Sequence, residues 1–289
     1  MERKTVLNDL LNKPIGDVTF TVFDVETTGL ETYLGHRICE IGLVKFCGTE
    51  ELDSRSKLVN PERLIPEDAV DIHGITDEMI KKEKAPIFEN IADEVLAFIK
   101  GTVLIAHNAE FDLGFIAKHL RRAKREIPDN LAADTLTLAR RHFNFQGNFL
   151  GKIASHLAID TEGNHRALKD ATITKEVFQH FIKKLKVKTL GELLDLQGGS
   201  IPFPKIEEVT PPPMIAEAIN SNKKLSMKYV SASGQETERI VEPIEVNLHN
   251  GTKYLIAFCH LKNEQRVFRM DRILELHPAI SNRQVKLAI

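Results

Sequence analysis

The chain has 289 residues, 42% apolar and 28% charged, a composition that buries a full core and a length that predicts about two domains. A net charge of −2 and a pI near 6.6 exclude a uniformly basic nucleic-acid coat, so any attraction for phosphate has to be local. No run of about 18 apolar residues offers a membrane span; Met1-Glu-Arg-Lys-Thr5 lacks a secretory core, and three cysteines without a close pair fit a reducing cytoplasm.

The first apolar segment, Val18-Thr-Phe-Thr-Val-Phe-Asp-Val-Glu26, is rich in β-branched and aromatic residues and predicts a buried strand. Side chains two apart in a strand share a face, so Asp24 and Glu26 project to one side, at a C-terminal end broken by Thr27-Thr28-Gly29. Open sheets bind ligands at that edge. Two carboxylates forced together repel, and each takes up a proton unless a cation neutralises it. Most Asp-x-Glu pairs are surface acids; the apolar setting argues otherwise here. Further strands are predicted over 37–47 and 53–59, and helices over 65–71, 76–82 and 88–99. Thr76 before Asp77 and Glu78 is explained as a helix cap.

A strand over 102–106 leads into a helix over 112–124 with apolar Leu113, Ile116, Ala117 and Leu120. Asp112 at this junction reads either as an ordinary helix-start acid or as a third member of the acid group. A weak strand at Leu131-Ala-Ala-Asp-Thr135 precedes helices over 135–142, 149–158 and 167–185. Asp170 falls on the apolar face of the last, with Ala167, Ala171, Thr174 and Phe178, where a carboxylate is costly unless paired or metal-bound. His165 precedes this helix after a Gly163-Asn164 turn. A loop histidine is either plain surface or a base suited to deprotonating water, since imidazole titrates near neutrality. Four converging acids would carry a charge of about −4, which two divalent ions cancel; all-oxygen ligands favour Mg²⁺ or Mn²⁺.

Phe23-Asp-Val-Glu-Thr-Thr-Gly-Leu30, Ala106-His-Asn-Ala-Glu-Phe-Asp112 and His165-Arg-Ala-Leu-Lys-Asp-Ala171 resemble the three exonuclease motifs of the DEDDh family, above all the proofreading subunit or domain of bacterial replicative polymerases. Arg37-Ile-Cys-Glu-Ile-Gly42, Asn60-Pro61 and His73-Gly-Ile-Thr76 resemble it too, so the likeness covers roughly residues 17–183. The resemblance implies an α/β, RNase H-like fold with a mixed sheet flanked by helices, and 3′-to-5′ removal of nucleotides. It implies that Asp24, Glu26, Asp112 and Asp170 hold two divalent cations, Mg²⁺ or Mn²⁺, and that His165 takes a proton from the attacking water. It also places Thr27, Thr28, His73, Asn108 and Phe111 around the terminal nucleotide; for Phe111 a core contact is an equal reading. The segment Gln146-Gly-Asn-Phe-Leu-Gly151 departs from the family pattern, which approaches the third motif in a more helical form.

A lysine-rich helix end, Lys183-Lys-Leu-Lys-Val-Lys188, and a short amphipathic turn over Leu190–Leu196 are followed by glycines and prolines that mark a linker over 198–213. A helix at Met214–Asn220 then gives way to alternating segments, with turns at Ser233-Gly234 and Asn250-Gly251, which predict a small, mostly antiparallel β domain over 214–289. Tyr229, Arg239-Ile-Val-Glu-Pro243, Lys253-Tyr-Leu255 and Arg266-Val-Phe-Arg-Met-Asp-Arg-Ile273 make it similar to the WYL domain, with Lys253 in place of the signature Trp. The resemblance implies a basic pocket for nucleic acid or a nucleotide, with Arg239, Tyr254, Arg266, Arg269 and Arg272 as candidates. Pairing of these arginines with Glu242, Glu245, Asp271 and Glu275 is the alternative, and strict alternation sets Arg269 on the face opposite Arg266 and Arg272.

The expected organisation is therefore an exonuclease domain over 1–197, a linker over 198–213 and a WYL-like domain over 214–289. The expected activity is metal-dependent 3′-to-5′ hydrolysis of nucleic acid, with single-stranded DNA 3′ ends favoured over RNA and the second domain positioning substrate or regulating. A non-catalytic regulator that grips nucleic-acid ends is the rival. No membrane partner is expected, and the oligomeric state stays open.

Overall fold

A computed structural model describes residues 2–163, 165–207 and 209–279; Asn164 of the expected turn and the end of the second domain, 280–289, lie outside the described residues. The chain divides into two compact units, Met1–Leu30 with Arg37–Lys205, and Glu31–His36 with Ile206–Ile289.

The first unit opens with α1 (Glu2–Leu11), β1 (Thr19–Thr27), β2 (Ile38–Cys47), β3 (Glu50–Leu58), α2 (Glu67–His73), α3 (Asp77–Lys82) and α4 (Phe88–Ile99). It continues with β4 (Val103–Ala106), α5 (Ala109–Arg122), β5 (Ala132–Asp134), α6 (Thr135–His142), α7 (Leu150–His156), α8 (Ala167–Leu185) and α9 (Leu190–Gln197). The sheet order is β3-β2-β1-β4-β5, antiparallel across β3-β2-β1 and parallel from β1 through β4 to β5. Strand alternation sorts β1 into two cores. Val18, Phe20 and Val22 pack with Phe178 and Phe181 of α8, whereas Phe23 and Val25 pack with α4 and α5 through residues such as Val95, Leu113 and Ile116. Asp24 and Glu26 are the next two rungs of the α8 face.

Three elements differ from the sequence expectation for tertiary reasons. Helix α5 begins at Ala109 rather than 112, because Asp134 on the neighbouring strand accepts hydrogen bonds from the backbone N–H groups of Asn108 (2.8 Å) and Ala109 (3.3 Å). Residues 190–197 form a full helix, α9, capped by the Thr189 hydroxyl, instead of a turn. Helix α1 has no apolar periodicity to announce it, and it packs on α9. The Gly/Pro stretch stays on the first unit up to Lys205: Ile201 N–H donates to the Ala132 carbonyl at 3.0 Å, and Ile201 and Phe203 pack against the α4–α5 core.

The second unit contains α10 (Pro213–Ser221), β6 (Leu225–Val230), β7 (Glu236–His249), β8 (Thr252–Cys259), β9 (Glu264–Arg269) and β10 (Ile273–Pro278). Its antiparallel sheet has the order β10-β6-β7-β8-β9. Ile215 and Ala218 of α10 close over Leu225, Met227, Val241, Leu255, Ala257 and Phe268. The β7–β8 turn carries Asn250 and Gly251 at φ 48° and 75°, the left-handed pair that a two-residue hairpin requires. Among the described residues no helix is long and apolar enough to cross a membrane.

Candidate active site

The site begins with register. Across the β1–β2 ladder Asp24 faces Gly42 and Glu26 faces Glu40, so these four positions share the α8 face. Gly42 is where the helix lands: a Cβ there would lie 2.2 Å from the Ala167 carbonyl carbon and 2.3 Å from the Leu168 nitrogen. Only a residue without a side chain lets the first turn of α8 sit directly on the strand. That seat carries Asp170 to the acids, and one carboxylate oxygen from each of Asp24, Glu26 and Asp170 lies within 4.8 Å of the others.

Asp112 stands beside this triad without joining it. The β4 ladder on β1 ends at Val22–Ile105, which frees the Val25 N–H, and Asp112 Oδ1 accepts it at 3.0 Å. The Asp112 charge still reaches Asp24 and helps to raise its pKa. Burial does most of the raising at Asp24, followed by Asp112, Glu26, Asp170 and Glu40. Glu26 is pushed up to about 7, by burial first and then by Asp170 and Glu40. Asp112 and Asp170 are also raised, burial leading, with hydrogen bonds from Val25 N–H and His165 N–H working against it. These carboxylates are short of positive charge, and an all-oxygen set in that condition fits hard divalent cations.

His165 is exposed at the entrance to α8, with φ +62° and its backbone N–H donating to Asp170 Oδ2 at 3.0 Å. His73 is buried; its Nδ1 accepts the Ile75 N–H at 3.0 Å and its Nε2 lies 3.7 Å from Cys39 Sγ on β2, and burial lowers its pKa. Thr27 and Thr28 are buried and engaged in the turn: the Thr27 hydroxyl donates to the Gly29 carbonyl (2.8 Å), and the Thr28 hydroxyl accepts the Arg37 N–H (3.1 Å). Asn108 is exposed in the left-handed region at the start of α5. Phe111 is half buried, its ring 5.0 Å from Phe115, so part of it joins the core and part stays open.

Two partners escaped the sequence reading. Glu40, 1% exposed, accepts from Arg166 Nε (3.0 Å) and Nη2 (2.6 Å) and from the Ala167 N–H (3.0 Å). His107 ties the β4–α5 loop to the departing segment at 146–149: its Nε2 meets the Asn148 carbonyl at 2.8 Å and its Nδ1 the Thr135 hydroxyl at 2.9 Å. The one available signal for Glu40 was an acid inside β2, whose residues from Ile38 to Val44 are all buried.

In the second unit the candidate arginines do not converge. Arg266 and Arg269 face Ala257 and Tyr254 across the β8–β9 ladder, three residues apart and so on opposite faces, with Arg266 paired to Glu264 and Arg269 to Asp271. Arg239 instead lies 5.7 Å over the Phe268 ring and donates to the Thr237 hydroxyl at 3.0 Å. Tyr254 sits 5.3 Å from the Tyr33 ring, which stacks on His249 at 3.9 Å within this unit. Arg272 ends the short 3₁₀ turn Met270–Arg272, beyond β9.

The profile of the exonuclease family matches residues 21–178, more than half of the chain. The chain belongs to this exonuclease family. A WYL domain profile matches residues 213–278. Among relatives, the DNA polymerase III subunit epsilon of Rickettsia felis is 39% identical over 165 residues, covering 54% of this chain and 71% of epsilon. The 3′-5′ exonuclease DinG of Bacillus subtilis is 30% identical over 236 residues, 81% of this chain and 25% of DinG. The PolC-type DNA polymerase III of Thermotoga maritima is 32% identical over 182 residues, 63% of this chain and 13% of PolC. The exonuclease chain thus spans a quarter or less of DinG and PolC. In fold it is similar to the zinc-bound form of the E. coli ExoI–ssDNA complex, with a TM-score of 0.53 at 16% identity over 84% of this chain and 55% of that one. The fold is RNase H-like, as its motifs implied, and the second unit is a separate antiparallel sheet.

Proposed function

We propose that this chain is a metal-dependent 3′-to-5′ exonuclease that removes nucleotides from DNA 3′ ends, single strands in preference, and that its WYL domain holds nucleic acid or a nucleotide and so positions substrate or regulates the first unit. The observation that carries the reading is the triad Asp24, Glu26 and Asp170, with carboxylate oxygens within 4.8 Å and pKa values that stay raised although Arg166, His165 and Lys169 act against the rise at Glu26 and Asp170. Those three would hold Mg²⁺ or Mn²⁺, and Asp112, anchored to Val25, would complete the set. When bound, a pair of such cations stabilises charge on the attacking and leaving oxygens. His165, exposed and next to Asp170, takes the proton from water. His73, Asn108 and the open part of Phe111 border the place where a terminal nucleotide would lie, with Thr27 and Thr28 shaping the turn beneath it. DNA is favoured by the DNA-polymerase relatives, and free cysteines at Cys39, Cys47 and Cys259 fit a reducing cytoplasm.

The test is digestion of 5′-labelled and 3′-labelled oligonucleotides, as DNA and as RNA, by the full chain with Mg²⁺, Mn²⁺ or chelator. A ladder shortening from the 3′ end of DNA, abolished by chelator and reduced on the order of a thousandfold or more in Asp24→Ala, is expected. End binding without turnover under either metal would instead establish the non-catalytic regulator.

A further inference from the structure

We infer that Arg166, clamped on Glu40, is the positioning residue that holds His165 in its working place; this rests on the reading of His165 as the base. His165 is exposed, so its position depends chiefly on its backbone. That backbone is strained, with φ +62° at a non-glycine residue, and it persists only if its flanks are fixed. Both flanks are. On the histidine's own side, Asp170 Oδ2 takes the His165 N–H at 3.0 Å. On the other side, Arg166 closes a two-point fork on Glu40 (2.6 and 3.0 Å), and the same carboxylate accepts the Ala167 N–H at 3.0 Å. Glu40 is buried at 1% exposure near the start of β2, so the clamp anchors the histidine loop to the sheet strand adjacent to the acid-bearing strand. A planar guanidinium is needed for both contacts; a lysine ammonium offers a single point charge.

The experiment is a double-mutant cycle on the full chain with a 5′-labelled DNA oligonucleotide and Mn²⁺, measuring kcat, KM, the Mn²⁺ concentration for half-maximal rate and the thermal midpoint for His165→Ala, Arg166→Ala, Arg166→Lys and the double variant. Arg166→Ala is expected to lower kcat about 10–100-fold, as loss of an outer-shell partner does, with KM and Mn²⁺ half-saturation near wild type and Arg166→Lys recovering part of the rate. In the His165→Ala background the same change is expected to cost less than about twofold, because residues that act through one another are not additive. An equal loss in both backgrounds, or a loss that follows KM, Mn²⁺ half-saturation or the thermal midpoint, overturns the clamp and leaves the base assignment standing. Wild-type kcat in His165→Ala overturns both. Because Arg166 is itself 45% exposed, a poorly folding alanine variant is replaced by Arg166→Gln, judged by the same criteria.

Discussion

The acid-bearing edge of the first unit and the charged strands of the second handle charge in opposite ways. Among the described residues of the second unit, several charges have an opposite neighbour close in sequence or across a strand: Arg266 with Glu264, Arg269 with Asp271, Lys228 with Glu236, and Lys224 with Glu242. At the end of β1, by contrast, Asp24, Glu26 and Asp170 meet in a buried cluster, and burial and their mutual repulsion outweigh Arg166, His165 and Lys169 nearby, so their pKa values rise. Surface ion pairs stabilise little and specify little. A fold that gathers acids and compensates them only in part keeps a place for a ligand that supplies the rest. Charge that stays uncompensated is therefore the better guide to chemistry, and arginine number alone is a poor one.

The largest expected effect breaks the gathering itself. Gly42→Ala places a methyl group 2.2 Å from the Ala167 backbone, so α8 has to move and Asp170 with it. A loss of about 3 kcal/mol or more in denaturant unfolding is expected, together with most of the nuclease activity. An alanine variant with unchanged stability and rate would mean that the helix seat is loose.

A second effect sharpens the contrast through pH. A carboxylate whose pKa is raised on folding holds a proton that the unfolded chain has released, so it favours the folded state at low pH and that contribution fades as pH rises through the folded value. For Glu26 the window runs from its ordinary 4.5 to about 7, and Asp24, Asp112 and Asp170 act with the same sign. Without divalent cations, the thermal midpoint of the wild type should fall across that window relative to Glu26→Gln. Mn²⁺ should raise it, more at the upper end, by an amount corresponding to about 2.7 kcal/mol at a hundredfold excess over its dissociation constant. A midpoint indifferent to both pH and Mn²⁺ would remove the contrast between the two regions.

The smallest effect belongs to the paired arginines. Arg266→Ala and Arg269→Ala should leave the thermal midpoint within about a degree and DNA digestion within about twofold, as expected for exposed ion pairs. A tenfold loss of activity in either would show that its carboxylate partner is displaced by a ligand.

What could be read from the linear chain followed from short-range rules. Period-two alternation put Asp24 and Glu26 on one face, and helical spacing put Asp170 on the inner side of α8; both are found so. The start of α5 was misplaced because its cap comes from Asp134, on another strand. Glu40 and Gly42 were hidden for a related reason. Their partners, Glu26 and Asp24, are fixed by the β1–β2 register, and that pairing is settled by the whole sheet, with a bulge at Glu26/Thr27 that no local pattern announces. Alternation along β9 separates Arg269 from Arg266, and the ladder with β8 has them on opposite faces.

Gly42 has a mechanical meaning as well. Where helix and strand touch main chain to main chain, no rotatable side chain lies between them to absorb a displacement. Two of the acids ride on β1, hydrogen-bonded to the strand that carries Gly42, and the third on the helix, so thermal rocking carries all of them together, like marks on one ruler. Any accommodation of an ion's radius is then left to rotation of the carboxylate groups themselves.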